Sequence, residues 1–231
     1  MTDAAAAGRF MTDAASAGGP RVIRDDEAGR AVAIDVLRAG GIVALPTDTV
    51  YGIAVASTTP GGIERLFHVK HRAPEKSIAL LLAYAGQART IAHMNAEADL
   101  LASAFWPGPL TLVLPRDPAG PLPAALTGGS PTVGLRVPDH PCVRAIAGAI
   151  GPLPTTSANR SGEPDALEAA SVVDQLGMDV DLVLDGGPAR GAVPSTVVDC
   201  TVTPPIVLRE GALGSARILE ALSLGPLRGG S

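Results

Sequence analysis

Four cationic side chains, Arg65, Lys70, Arg72 and Lys76, fall within a dozen residues of a chain whose formal net charge is −5. A local knot of positive charge in an acidic protein suits a small, highly charged anion as ligand. It equally suits the solvated last turn of a helix, where cations meet the negative end of the macrodipole. A second group is Thr47-Asp48-Thr49, two hydroxyls and a carboxylate between apolar runs. That places polar groups at a strand end, where α/β sites form, although Thr and Asp also suit an ordinary capped turn. The third is the hydroxyl-rich stretch Thr155-Thr156-Ser157-Ala158-Asn159-Arg160-Ser161. Between a strand and a helix, such a stretch can cradle an anion or cap the helix.

These groups need a scaffold, and the composition supplies one. With 231 residues and 46 % hydrophobic content, the chain has material for one sizeable α/β domain. Aromatics are 3 %, so aliphatic side chains and alanine must fill the core. The acidic balance disfavours wholesale nucleic-acid binding through charge. Cys142 and Cys200 lack metal-ligand spacing and read as reduced core residues of a cytoplasmic protein. No apolar run reaches the ~18–20 residues that span a bilayer, and no secretion signal is visible. Met1-Thr2-Asp3-Ala4-Ala5 recurs as Met11-Thr12-Asp13-Ala14-Ala15, so Met11 is an alternative start. The expected organisation is a disordered lead over 1–20, one catalytic domain over 21–223 and a flexible tail over 224–231.

Asp25 or Asp26 can cap a helix to about Ala39, with Ala28, Val32 and Val36 inward and Gly40-Gly41 as the stop. Strands are expected over 42–45 and 50–55, flanking the Thr-Asp-Thr turn. Pro60 starts a helix that delivers the cations, and Pro74 prevents its continuation. A strand over 77–82 precedes helical stretches at 85–92 and 96–105. Trp106-Pro107-Gly108-Pro109 turns into a strand over 110–114, and the Pro/Gly-rich loop 116–131 has the length of a lid. A strand over 132–137, a helix capped by Asp139 to about Ile150, and a strand from Leu153 lead to the hydroxyl-rich stretch. A helix near 166–176, strands at 182–185, 195–199 and 206–209, and an amphipathic segment at 213–222 complete the chain. Several strand pairs are too close for crossover helices, so the sheet should be mixed, parallel and antiparallel, with flanking helices.

The chain lacks a P-loop, a dinucleotide-binding glycine motif and a nucleophile elbow, and its histidines do not pair as zinc ligands. With these motifs in hand, the sequence resembles the YrdC-type L-threonylcarbamoyladenylate synthases. The resemblance is carried by Pro46-Thr47-Asp48-Thr49-Val50-Tyr51-Gly52, Lys70-His71-Arg72, Phe105-Trp106-Pro107-Gly108-Pro109-Leu110-Thr111 and Gly134-Leu135-Arg136-Val137-Pro138-Asp139-His140-Pro141. Further on, Thr156-Ser157-Ala158-Asn159-Arg160-Ser161-Gly162, Asp185-Gly186-Gly187 and Pro194-Ser195-Thr196-Val197 complete the series. Seven stretches in family order are specific where any one alone is not.

The resemblance implies a single YrdC-like domain with a twisted sheet around a large, positively lined pocket. It implies that ATP, L-threonine and bicarbonate give L-threonylcarbamoyl-AMP and pyrophosphate, the first step of t6A37 modification of tRNA. It puts Lys70, Arg72, Ser157 and Asn159 on the ATP phosphates, Lys70 and Arg72 being the catalytic pair. Thr132 and Arg209 fall along the nucleotide, and Thr47, Arg136, Thr155 and Ser195 around threonine and the carbamate, with Tyr51 close by. Mg²⁺ would arrive with ATP, without a dedicated protein cage. Hand-off of the product to a threonylcarbamoyl transferase complex, and weak tRNA binding, follow from the same resemblance. Two departures stand out: Leu81 occupies a position where some members carry histidine, and Ala73 intervenes before Pro74. The chain also stops soon after Arg209, as in the short form of the family. The alternative is a same-fold paralogue without synthase activity, acting as an RNA-binding module. Aromatic poverty speaks against that, since single-stranded RNA readers stack bases on aromatic rings.

Overall fold

The computed structural model describes residues 19–70, 78–122, 124–127 and 129–224. The lead through residue 18, the tail from 225 and the segment 71–77, with Arg72 and Lys76, lie outside the described residues. In chain order the elements are β1 (Arg21–Arg24), α1 (Glu27–Arg38), β2 (Val43–Leu45), β3 (Gly52–Ala54), α2 (Gly62–Val69) and β4 (Ala79–Leu81). There follow α3 (Ala96–Phe105), β5 (Leu110–Pro115), β6 (Thr132–Arg136), α4 (Pro141–Ile150) and β7 (Leu153–Ser157). The chain ends with α5 (Ala169–Leu176), β8 (Leu182–Asp185), β9 (Thr196–Asp199), β10 (Ile206–Arg209) and α6 (Ser215–Ser223). Short 3-10 turns occupy Ala85–Thr90, Ala124–Thr127 and Gly177–Asp179.

All ten strands join one mixed sheet in the order β1-β8-β2-β3-β7-β4-β6-β5-β9-β10. The pairs β1–β8, β2–β8, β4–β6 and β5–β9 are parallel, and the others antiparallel. Alternation along each strand sends successive side chains to opposite faces. One face carries Ile53, Leu80, Leu112 and Leu135 into the larger core, covered by α2, α3, α5 and α6 through Leu66, Leu101, Val172 and Ile218. The other face is divided. Over β8, β2 and the adjoining strand ends, α1 and α4 bury Ala33, Leu37, Cys142 and Ile146 against Val43, Leu45, Leu153 and Leu182. Beyond them the same face carries Thr155, Ala79, Gly134 and Val113, partners across β7, β4, β6 and β5. There the sheet opens into a cavity instead of a helix interface. Where the helix cover ends, the site begins.

Several expectations need correction. The strand β1 was not expected: four residues of Arg-Val-Ile-Arg offer little periodicity, and only parallel pairing with β8 makes them a strand. Asp26 caps α1 through its carboxylate, but the inward face is Gly29, Ala33 and Leu37, with Ala28 exposed. A Cβ on Gly29 would lie 2.0 Å from the Arg24 carbonyl oxygen, so close approach to the end of β1 chooses that face. His140 rather than Asp139 caps α4, its Nδ1 accepting from the Cys142 N–H. The helix expected from 166 begins at Ala169, leaving irregular chain between it and the hydroxyl-rich stretch. In the loop 116–131, Leu122 and Leu126 are buried in the larger core, and none of its described residues lines the cavity. Among the described residues, no helix is long and apolar enough to cross a membrane.

Gly52 shows how tightly the strands beside the cavity are packed. A Cβ there would sit 2.8 Å from Thr155 Cγ2 and 3.2 Å from the Thr156 carbonyl oxygen. Overpacking of this kind costs about 1–3 kcal/mol. Gly52→Ala should lower unfolding stability by that amount, measured as the urea midpoint at unchanged slope.

Candidate active site

The cavity has a volume of about 460 Å³ and is lined from β3, β4, β5, β6, β7, β9 and β10 together with the turns that precede β3 and β9. At one corner α2 ends in Lys70, which is 4 % exposed. Its ammonium donates to Ser157 Oγ at 2.8 Å, the Ser157 carbonyl at 2.8 Å and Asn159 Oδ1 at 2.9 Å. Ser157 Oγ also donates to Asn159 Oδ1 at 2.6 Å, and Asn159 Nδ2 donates to the Glu163 carbonyl at 2.6 Å. Ser157 and Asn159 stand on the cavity wall, and Lys70 reaches it through them. Arg65, grouped with these cations in the sequence, instead pairs with Asp181 at 3.4 Å and belongs to no part of this corner.

A second centre of charge is Arg136, 5 % exposed. Its Nε donates to the Gly108 carbonyl at 3.0 Å, Nη1 to Thr49 Oγ1 at 2.9 Å and Nη2 to Asp48 Oδ1 at 2.6 Å. Burial lowers the guanidinium pKa and Asp48 opposes that shift, while nearby Arg209 adds to it. The Trp-Pro-Gly-Pro turn and the Thr-Asp-Thr turn thus meet on one side chain. Thr47 serves its own turn as well as the cavity wall: its hydroxyl donates to the Val50 carbonyl at 2.7 Å and accepts from the Thr49 and Val50 N–H groups. The capped-turn reading and the site reading of this stretch therefore hold together.

Thr155 and Ser195 also line the cavity, and both are buried. Thr155 donates to the Leu153 carbonyl at 2.9 Å, and Ser195 Oγ is 2.8 Å from Thr111 Oγ1. Arg209 borders the cavity and donates to the Ser195 carbonyl at 2.8 Å. Thr132 begins β6 with its hydroxyl 3.0 Å from Ser130 Oγ, on the same face as Gly134 and Arg136 but outside the lining. Tyr51 borders the cavity, yet its hydroxyl accepts from the Gly186 N–H at 3.2 Å and donates to the Gly187 carbonyl at 2.8 Å. Burial pushes that phenol up to about 12. Its hydroxyl therefore braces the Asp185-Gly186-Gly187 turn while the residue borders the cavity.

Sequence reasoning missed Thr111, Glu163 and Asp165 as lining residues and Asp48 as the partner of Arg136. Thr111 had a signal, a lone hydroxyl in the otherwise apolar run Leu110-Thr111-Leu112-Val113-Leu114. It also missed a cluster of possible metal ligands, Asp25, His140 and Cys142, whose ligating atoms lie within 4.8 Å of one another. Their chemistry does not suit a cation. Arg30 holds both Asp25 oxygens, Nε to Oδ1 at 2.6 Å and Nη2 to Oδ2 at 3.1 Å. Burial raises the Cys142 thiol well above its ordinary value and keeps it protonated.

The sequence profile of the Sua5/YciO/YrdC family, described under telomere recombination, matches residues 35–211. The chain belongs to this family. Threonylcarbamoyl-AMP synthase of Pyrococcus abyssi is 37 % identical over 184 residues, 79 % of this chain and 54 % of that protein. A putative threonylcarbamoyl-AMP synthase of Mycobacterium tuberculosis H37Rv is 36 % identical over 196 residues, 83 % of this chain and 88 % of its own length. The structure of P. abyssi Sua5 complexed with L-threonine superposes with a TM-score of 0.81 at 34 % identity, covering 87 % of this chain and 59 % of that one. Escherichia coli YciO superposes with a TM-score of 0.75 at 26 % identity, covering 87 % and 98 %. The chain thus spans a little over half of the archaeal protein and most of the shorter relatives.

Removing one partner of a buried ion pair leaves the other charge uncompensated, at a cost of about 3–5 kcal/mol. Asp48→Ala should lose that much unfolding stability, read by chemical denaturation. A second expectation concerns His140, whose imidazole burial holds below its ordinary 6.5, with Asp25 and Asp48 opposing and Arg30 and Arg190 assisting. The unfolded chain takes up this proton first, so the contribution is complete above pH 6.5 and is lost as pH falls toward the folded-state value. His140→Gln should flatten the acid limb of stability against pH.

Proposed function

We propose that the protein is an L-threonylcarbamoyladenylate synthase, which makes L-threonylcarbamoyl-AMP and pyrophosphate from ATP, L-threonine and bicarbonate. The observation that carries this reading is one cavity with the Lys70–Ser157–Asn159 cluster and the buried Arg136–Asp48 pair both set on it. The names of the P. abyssi and M. tuberculosis relatives and the L-threonine complex of Sua5 support it. The product would supply t6A37 modification of tRNA in the cytoplasm, through hand-off to a threonylcarbamoyl transferase complex, with weak direct affinity for tRNA.

The chemistry asks for position and charge rather than a protein nucleophile. The amine of threonine and bicarbonate form an N-carboxylate with loss of water, and its oxygen attacks the α-phosphorus of ATP as pyrophosphate leaves. Ser157 and Asn159, with the Lys70 charge directly behind them, form the polyphosphate end, and Arg72 is assigned there by its place in the Lys-x-Arg motif. Arg136 directs N–H groups at an oxyanion of the amino-acid end. Thr155 and Ser195 offer hydroxyl oxygens to the threonine side chain, Thr47 is assigned beside them by its place in the Pro-Thr-Asp-Thr motif, and Thr132 and Arg209 extend the site along the nucleotide. Exposed Glu163 and half-buried Asp165 border the cavity next to Asn159, and their carboxylates fit the water shell of a Mg²⁺ carried by ATP. The ion would share the polyphosphate charge.

Pyrophosphate release should require ATP, threonine and bicarbonate together. Removing a preorganised donor typically costs 10²–10³-fold, and Lys70→Ala should lower release by about that factor while the protein still melts cooperatively. Valine in place of threonine should turn over at least about 10²-fold more slowly, because it leaves the site's hydroxyls unanswered. Salt-sensitive RNA binding without turnover would instead support the RNA-binding module.

A further inference from the structure

The middle of β6 holds a glycine that the protein itself does not need. Gly134 lies on a central strand, paired with Ala79 of β4 and Val113 of β5. Glycine weakens a strand interior, and where it persists it commonly marks a bulge, a bend or the close approach of another group. The ladders on both sides of Gly134 run in unbroken register, and its φ lies outside the left-handed region. Packing does not demand it either. A Cβ at this position would meet Thr111 Cγ2 at 3.5 Å and Ala79 Cα at 3.9 Å, which are ordinary contacts. Gly52, by contrast, is enforced by Thr155 and Thr156. What lies over Gly134 is the cavity.

We infer that Gly134 is a clearance residue that leaves room for the reacting junction of the bound substrates, the carbamate oxygen and the α-phosphate. The inference rests on the synthase reading proposed above. On the inward face of β6, Gly134 stands between Arg136, on the cavity wall and assigned to the amino acid, and Thr132, just beyond the lining and assigned to the nucleotide. Each is two residues away, about 7 Å along the strand. A ligand bridging those two ends passes over the glycine. A methyl group there would lift the junction without disturbing the protein, and misplacement by about 1 Å can cost 10²-fold in rate.

The test is Gly134→Ala in the full chain, beside the wild type. The expected result is a thermal midpoint equal to or above wild type, because alanine restricts the unfolded chain more than glycine. Calorimetry should give affinities for ATP alone and for L-threonine alone that stay close to wild type. Threonine-dependent pyrophosphate release should fall by at least about 10²-fold. A lowered midpoint would show that the glycine serves the fold, and unchanged turnover would show that nothing passes close over it. Loss explained by weaker binding of one substrate alone would place the contact away from the junction. Each of these overturns the inference. A wild-type protein that releases no pyrophosphate with threonine removes the underlying synthase reading, and this inference with it.

Discussion

A guanidinium as deeply buried as that of Arg136 stays charged only where its N–H groups and its charge are both answered. The answer here comes from two other stretches of chain, so that three meet at one side chain. Asp48 and Thr49 come from the turn between β2 and β3, Gly108 from the turn before β5, and the arginine itself from the end of β6. The pair therefore ties the site together as well as lining it. If Asp48 moved, the buried charge would lose its partner, and the Gly108 turn would lose the side chain that holds it to β6. Two further hydroxyls of the wall, Thr47 and Thr155, donate to nearby backbone carbonyls, and Thr47 also accepts from two N–H groups of its own turn. The polar groups of the wall are held by hydrogen bonds within the protein, which is the condition for electrostatic preorganisation.

The cavity also depends on something that does not cover it. Both faces of the sheet carry apolar side chains near β8 and β2, and helices bury them there. Over β7, β4, β6 and β5 one face changes to Thr155, Ala79, Gly134 and Val113, small or polar residues that offer a helix little to pack on. The alternation within each strand continues undisturbed, so the apolar face beneath remains fully buried. Fold and site thus share strands without competing for the same side chains.

Much of this was legible in the sequence. The strands from Val43 onward and the mixed sheet follow from apolar runs and turn residues, whereas the meeting of Lys70 with Ser157 and Asn159 came only from the family resemblance. Other features depended on tertiary context. The pairing of Arg21–Arg24 with β8 needs a partner far along the chain, and the inward face of α1 is chosen by the carbonyl of Arg24. Asp48 looked like a turn residue because turns and ion pairs use the same side chain. Tyr51 lies in a motif full of cavity-lining residues, and only the folded chain shows that its hydroxyl is bonded to Gly186 and Gly187. Motif proximity does not specify a side chain's distant partners.

The Lys70 ammonium already has three oxygens in contact. An incoming ligand oxygen therefore trades places with a protein oxygen instead of filling a bare cation's coordination, and only the difference between the two bonds is gained. A neutral hydroxyl gains almost nothing in that exchange, while a multiply ionised oxygen gains on every contact. The corner thus acts as a threshold: weak or singly charged solutes leave its internal bonds intact, and dense anionic charge is required to open them.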